Sequence, residues 1–198
     1  QPDLGSVIIL GAIWFVVILF SGIRTKHLIS VVFSGIIIAS AAWIFVLAPY
    51  QKIRIVSFIF PQAYSQGGSY NQTQSIITVG SAGFFGKGFS ENFQTKYGFL
   101  PSANTDFIFA AFVESFGFAG ASLILALYLV LFWRLVSAAF YVSNNFSRLF
   151  LVGVSAFLFA QMFINIGMNL GIMPVTGITL PLVSFGGSSM MITFLSLG

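Results

Sequence analysis

The stretch from Phe107 to Trp133, FIFAAFVESFGFAGASLILALYLVLFW, holds a single charged residue, Glu114. At about 1.5 Å per helical residue it crosses a hydrocarbon core of about 30 Å with length to spare. Uncharged runs recur at Leu4 to Ile23, Leu28 to Tyr50 and Leu149 to Pro174. The 198 residues are 58% hydrophobic and 6% charged, with a mean hydropathy of +1.00. A soluble fold needs a polar surface that eight basic and four acidic residues do not supply. The expected fold class is therefore an all-α polytopic membrane protein, a transmembrane helix bundle forming a single unit. Its spans are expected at about 4–23, 28–48, 107–133, 149–173 and 186–198.

The first run does not read as a secretory signal, because Pro2 and Asp3 precede it in place of a basic region and no small-residue cleavage site follows. The chain lacks an initiator Met and ends at Gly198 inside an apolar segment, which suggests a fragment. No cysteine is present, so disulfides, thiolate nucleophiles and cysteine zinc sites are excluded. A net charge of +4 does not point to nucleic acid, because the basic residues are scattered between spans. They sort by loop instead. Arg24, Lys26, Arg134 and Arg148 crowd two short connectors, which the positive-inside rule makes cytoplasmic. The segment of about 49–105 then becomes a long extracytoplasmic loop, with Asp106 on the same outer side.

That outer segment carries most of the chemistry-bearing residues. Lys52 to Phe60 suits a short helix at the interface, stopped by Pro61, and Gln62 to Gln74 reads as a polar loop. Gly80-Ser81-Ala82-Gly83-Phe84-Phe85-Gly86-Lys87-Gly88 lacks the spacing and the Ser/Thr after lysine of a nucleotide P-loop. Its glycines form either a plain turn or a cradle of backbone amides for a phosphate. Asn104-Thr105-Asp106 has the residue types of a helix N-cap, so Asp106 is either a cap or a carboxylate held for chemistry. Glu114 lies about 12 Å along that helix and about 80° around it. Gln161, Asn165 and Asn169 recur at four-residue spacing and make one polar face, read as packing glue between helices. From Pro174 to Ser189 two prolines and three glycines break any helix. Such irregular backbone at membrane depth must be buried in protein or line a wet cavity, and this re-entrant segment is expected to line one.

Four motifs in order resemble a known family. Gln1-Pro2-Asp3-Leu4-Gly5, then Gly80-Ser81-x-Gly83-x-Phe85-Gly86-Lys87-Gly88, then Phe99-Leu100-Pro101 with Thr105-Asp106-Phe107-Ile108-Phe109-Ala110, and finally Leu180-Pro181-Leu182-Val183-Ser184-Phe185-Gly186-Gly187-Ser188-Ser189 are similar to the SEDS proteins of shape, elongation, division and sporulation. Phe85-Gly86-Lys87-Gly88 and Asn165-Ile166-Gly167-Met168 look closer to the elongation branch, RodA, than to the division branch, FtsW. Two departures stand out. Many members carry Pro-Glu-x-His-Thr-Asp where this chain has Pro101-Ser102-Ala103-Asn104-Thr105-Asp106, and Glu-Glu where it has Glu114-Ser115, so no histidine relay is assumed.

The resemblance implies a multi-pass protein of the bacterial inner membrane, matched over its C-terminal half. It implies a peptidoglycan glycosyltransferase that polymerises lipid II beside a class B penicillin-binding protein, the transpeptidase partner. Membrane lipids surround it and nucleic acid plays no part. In the family the aspartate of the Thr-Asp-Phe-Ile-Phe motif is the proposed catalytic residue, which here falls on Asp106. The acceptor hydroxyl needs a base and the pyrophosphate leaving group needs positive charge. Asp106 is assigned as base, or as ligand of a divalent cation (Mg or Mn). Substrate-binding roles are assigned to Arg54, Lys87, Lys96, Glu114, Ser184, Gly186, Gly187 and Ser188. The alternatives are a lipid II flippase or transporter, since broken helices are also a transporter feature, and a non-catalytic scaffold for the penicillin-binding protein.

Overall fold

A computed structural model describes residues 4–60, 69–88, 100 and 102–197. Within them the chain is helical: α1 (Leu4–Phe20), α2 (Thr25–Phe45), α3 (Pro49–Ile59), α4 (Tyr70–Gly80), α5 (Ile108–Tyr141), α6 (Asn145–Asn169) and α7 (Gly187–Leu197). Among the described residues α2, α5 and α6 are long and apolar enough to cross a membrane, and α1 is a shorter apolar helix. The fold is thus the expected all-α polytopic membrane bundle.

Its centre is the antiparallel pair α5 and α6, with α1 laid along α6. Ile9 of α1 and Ile164 of α6 are buried together with Ile178, flanked by Ile13 and Phe157. Gly153 lets Val17 of α1 approach to 3.6 Å of where a Cβ would stand, the close contact that small residues allow between membrane helices. Phe109, Val113, Ala121, Ile124 and Tyr128 of α5 form the main core with Ala82, Ile166 and Leu180. Helix α2 has no buried residue and is apolar on every side, a surface suited to hydrocarbon. Hydroxyls inside these helices are satisfied locally: Ser40 donates to Ile36 O at 2.9 Å and Ser122 to Phe118 O at 2.8 Å.

Helix α5 runs on past Trp133 to Tyr141. The Arg134 guanidinium lies 6.0 Å from the Trp133 ring centroid, so its charge rests on an aromatic face and the apolar residues beyond continue the helix. Helix α3 covers the stretch read as an interfacial helix but starts three residues earlier, at Pro49 in place of Lys52. Pro49 occupies its first turn and Gln51 Oε1 accepts from Ala48 N at 2.9 Å.

The polar stretch read as a loop over Gln62 to Gln74 is different. Residues 62–68 lie outside the described residues, and from Tyr70 the chain is helical. Its polar side chains are the reason. Gln72 donates to Met173 O at 2.6 Å and to Met168 O at 3.3 Å, and Ser75 donates to Asn169 O at 2.9 Å. Helix α4 therefore docks by hydrogen bonding carbonyls at the end of α6, which a hydropathy reading does not register.

The glycine-rich motif has an unforeseen role. Helix α5 breaks at Gly117, whose φ of 67° and ψ of −162° are open only to glycine. In an unbroken helix the amides of Phe118 and Ala119 would bond the carbonyls of Glu114 and Ser115. Instead Phe118 N donates to Gly83 O and Ala119 N to Phe84 O, both at 3.0 Å, while Lys87 N donates to Glu114 O at 2.8 Å and Gly88 N to Ser115 O at 3.1 Å. The loop is inserted into the opened helix and satisfies all four groups. The amides of Lys87 and Gly88 are thereby committed, which removes them from the phosphate cradle considered from sequence.

Candidate functional site

Asp106 closes the turn that enters α5. Thr105 N and Phe107 N both donate to Ser102 O, at 3.1 and 3.2 Å, and Ser102 takes a φ of 55°. The helix begins at Ile108 with Phe107 as its cap residue and no side-chain cap bond. The capping reading of Asp106 is therefore not what the structure shows: its half-buried carboxylate takes a hydrogen bond from Thr105, and the cap position belongs to Phe107.

What holds this turn comes from far away in sequence. Asn165 Nδ2 donates to the Asp106 carbonyl at 2.9 Å and to Ile178 O at 2.7 Å; Asn169 Nδ2 donates to the Asp106 carbonyl at 3.2 Å and to Asn165 O at 2.8 Å. Both asparagines are fully buried. Asn165 and Asn169 of the polar face of α6 are packing glue as expected, and what they glue is the Asp106 turn and the re-entrant segment, whereas the buried Gln161 Oε1 has no hydrogen-bond partner among the described residues. From the other side, Ser184 Oγ donates to Thr105 O at 2.8 Å and accepts from Leu180 N at 2.7 Å, and Phe185 N donates to Asn104 O at 3.1 Å. Tyr128 donates its hydroxyl to Pro181 O. Protein groups thus satisfy the broken backbone that hydrocarbon cannot. Gly177, at φ 79°, faces the carboxylate, and a Cβ there would stand 3.7 Å from Asp106 Oδ2.

Burial pushes the Asp106 carboxyl above its ordinary value of 3.8, with a hydrogen bond from Thr105 and the positive charge of Arg54 opposing it. A carboxylate with a raised pKa is a stronger base once ionised. Arg54 projects from α3, exposed and close enough for its charge to act on Asp106. Replacing Arg54 by Gln is expected to raise the Asp106 pKa further. The acid limb of a pH–rate profile, below which the base is protonated, should then move to higher pH. Added salt should move the parent protein the same way and leave the variant unmoved; an unshifted limb would separate Arg54 from Asp106.

The other assigned residues divide. Ser184 lies in the bonded ring around Thr105, its hydroxyl already committed to structure. Gly186, Gly187 and Ser188 lie at the junction into α7, where Met190 N donates to Gly186 O at 3.0 Å and a Cβ on Gly187 would meet open space. Glu114 is fully buried in α5 and its carbonyl anchors the glycine loop. Lys87 sits there too, about 12 Å along the helix from Asp106, its Nζ donating to Ser81 Oγ at 2.8 Å. Lys96 lies outside the described residues. Among the described residues no three His, Asp or Glu side chains gather into a metal cluster.

At the opposite end of the bundle, a cavity of about 280 Å³ lies between α1, α5 and α6, lined by residues such as Val16, Phe132, Val136 and Phe159 with Arg148 at its edge. It offers walls without acid–base groups. Arg134 and Arg148 belong to this end, so the basic connectors and Asp106 are separated by the thickness of the bundle.

Sequence reasoning missed the functional weight of Asn165 and Asn169, of Gly177 and of the break at Gly117. The four-residue spacing of the asparagines was the only available signal.

Comparison with known proteins follows the same lines. The family model FTSW_RODA_SPOVE, described as cell cycle protein, matches residues 1–198. Peptidoglycan glycosyltransferase MrdB of Helicobacter pylori is 42% identical over 198 residues, 100% of this chain and 50% of that protein. The protein of the same name from Escherichia coli is 37% identical over 199 residues, 100% of this chain and 54% of that protein. A solved structure of a peptidoglycan synthase complex, concerned with coordination of polymerization and crosslinking, superposes with a TM-score of 0.78 at 34% identity, covering 100% of this chain and 54% of that one. The chain spans about half the length of the relatives it matches.

Proposed function

The chain belongs to the FtsW/RodA/SpoVE family of cell cycle proteins, and from that membership and the Asp106 turn we propose that it carries the catalytic centre of a peptidoglycan glycosyltransferase that polymerises lipid II. The observation that carries this reading is Asp106 itself. Its main chain is clamped by Asn165 and Asn169, its carboxylate is kept out of helix capping, and burial raises its pKa.

In the proposed reaction a sugar hydroxyl of the acceptor attacks the anomeric carbon of the donor, and the bond to undecaprenyl pyrophosphate breaks with its electron pair leaving on the pyrophosphate. Asp106 takes the hydroxyl proton as the new bond forms. A single displacement inverts the anomeric centre. Positive charge stabilises the departing pyrophosphate. Arg54 is the better placed of the two described lysine or arginine candidates, because its charge already acts on Asp106, whereas Lys87 lies about two helical turns along α5. Were a divalent cation bound, Asp106 would be the residue to hold it, and it would supply further positive charge there. We place the Asp106 end on the outer face of the bacterial inner membrane, since the basic connectors lie at the other end, and a class B penicillin-binding protein as the partner that crosslinks the product.

The test is the product. Labelled lipid II given to the complete protein in detergent, with its partner supplied, is expected to yield glycan polymer. Translocation across vesicles without polymer in detergent would favour the transporter reading, and neither outcome would favour the scaffold.

A further inference from the structure

A long helix that starts beside an aspartate ordinarily uses it as its cap. Here the third amide of α5, Ala110 N, instead donates to Asn169 Oδ1 at 3.1 Å, in a buried bond that reaches 59 residues along the chain. The same side chain donates to the Asp106 carbonyl at 3.2 Å, accepts from Ser75 Oγ at 3.2 Å and is fully buried. One amide group thus serves the helix amide that a cap would serve, and grips the main chain of the residue that would otherwise be drawn into capping.

We infer that Asn169 is a positioning residue that caps α5 in trans, so that the Asp106 carboxylate is kept off its own helix and faces the reacting sugar. This rests on the proposed role of Asp106. The physical logic is a competition for one donor. The first amides of a helix lack partners and attract a nearby carboxylate. With Asn169 Oδ1 on Ala110 N, that attraction is already met, and Asp106 Oδ2 lies instead toward Gly177. Asn165 adds the second grip on the Asp106 carbonyl and ties it to the re-entrant segment at Ile178. Helix start, reacting side chain and broken segment are thereby fixed as one piece.

Two variants of the complete protein test this. Asn169→Leu keeps the branched shape and removes both acceptor and donors; Asn169→Asp keeps an acceptor for Ala110 N in either protonation state. For Asn169→Leu, kcat for lipid II polymerisation is expected to fall about 10- to 100-fold, the scale of a misplaced reacting group, with KM within about twofold. Hydrogen exchange of the peptide containing Ala110 should accelerate. In Asn169→Asp the Ala110 amide should stay protected, with kcat recovering to within about tenfold of the parent. A folded Asn169→Leu protein with unchanged kcat overturns the inference, as does one whose loss lies in KM alone. If Asn169→Leu does not fold, Asn169→Asp decides, and an unprotected Ala110 amide there overturns the trans cap. Asp106→Asn, measured beside them, isolates the underlying reading: activity surviving that substitution removes the base, whatever Asn169 does.

Discussion

Replacing Asp106 by Asn in the complete protein is expected to lower kcat for glycan-strand synthesis by about 10²- to 10⁴-fold, the range carried by a positioned general base. The substitution keeps the side chain's size and its capacity to accept a hydrogen bond from Thr105, and removes only the ability to take a proton. Binding of lipid II should persist, so the loss should lie in kcat. The fold should persist as well. Burial raises the pKa of Asp106, so the ionised carboxylate is held there at a cost that the neutral amide does not carry. The cap residue of α5 is Phe107, with no side-chain cap bond, so even Asp106→Ala should escape the loss of about 1 kcal/mol that follows removal of an N-cap. Thermal unfolding in detergent checks the second half of this expectation and strand synthesis the first. An Asp106→Asn protein that folds and polymerises at the parent rate would remove Asp106 from the chemistry.

The parts of this protein legible in sequence are those where one residue type has one outcome. Long uncharged runs become membrane helices because unpaired backbone in hydrocarbon leaves little choice, and α2, α5 and α6 follow. Gly171, at φ 75°, follows the end of α6, and two prolines and two glycines keep the chain from 174 to 186 out of helix for the same local reasons. What sequence did not disclose depends on partners distant along the chain. Asp106 reads as a cap because its neighbours are cap residues; the group that takes over that work, Asn169, lies 63 positions on. Tyr70 to Gln74 reads as loop because it is polar, yet Gln72 finds its acceptors at Met168 on α6 and at Met173 just beyond its end. Gly117 inside an apolar run is an ambiguous sign, and the loop that opens the helix there lies about thirty residues upstream. Sequence placed Asp106 and Arg54 as candidates, and structure adds the scaffold that brings the charge of one onto the other.

Gly117→Ala is expected to be the most damaging small substitution for stability. The backbone there has φ 67° and ψ −162°, a conformation closed to a residue with a side chain. A Cβ would stand 2.5 Å from Phe84 O and closer still to Gly86 N, both backbone atoms with no flexible end to yield. Accommodating it means expelling the glycine loop and with it the four bonds that join Gly83, Phe84, Lys87 and Gly88 to α5. At about 1 kcal/mol net for each, together with the strain, the loss should be about 4 kcal/mol or more, a large share of an ordinary stability of about 5–15 kcal/mol. Gly86→Ala should behave alike, since its Cβ would lie 2.6 Å from Gly117 N. Two neighbours calibrate the effect. Gly83, at φ 69° with open space around it, should cost about 1–2 kcal/mol as Ala through backbone strain alone, and Gly80, helical with open space, should cost nothing as Ala. Denaturant unfolding in detergent ranks the four, and a Gly117→Ala protein no weaker than Gly80→Ala would overturn the inserted-loop account. Activity should follow stability for a geometric reason. Asp106 lies about 16 Å above the break along α5, so a change of about 20° at the kink displaces it by about 5 Å, more than a reacting group tolerates. Gly117→Ala protein that remains folded should therefore lose polymerase activity while the Asp106 side chain itself is untouched.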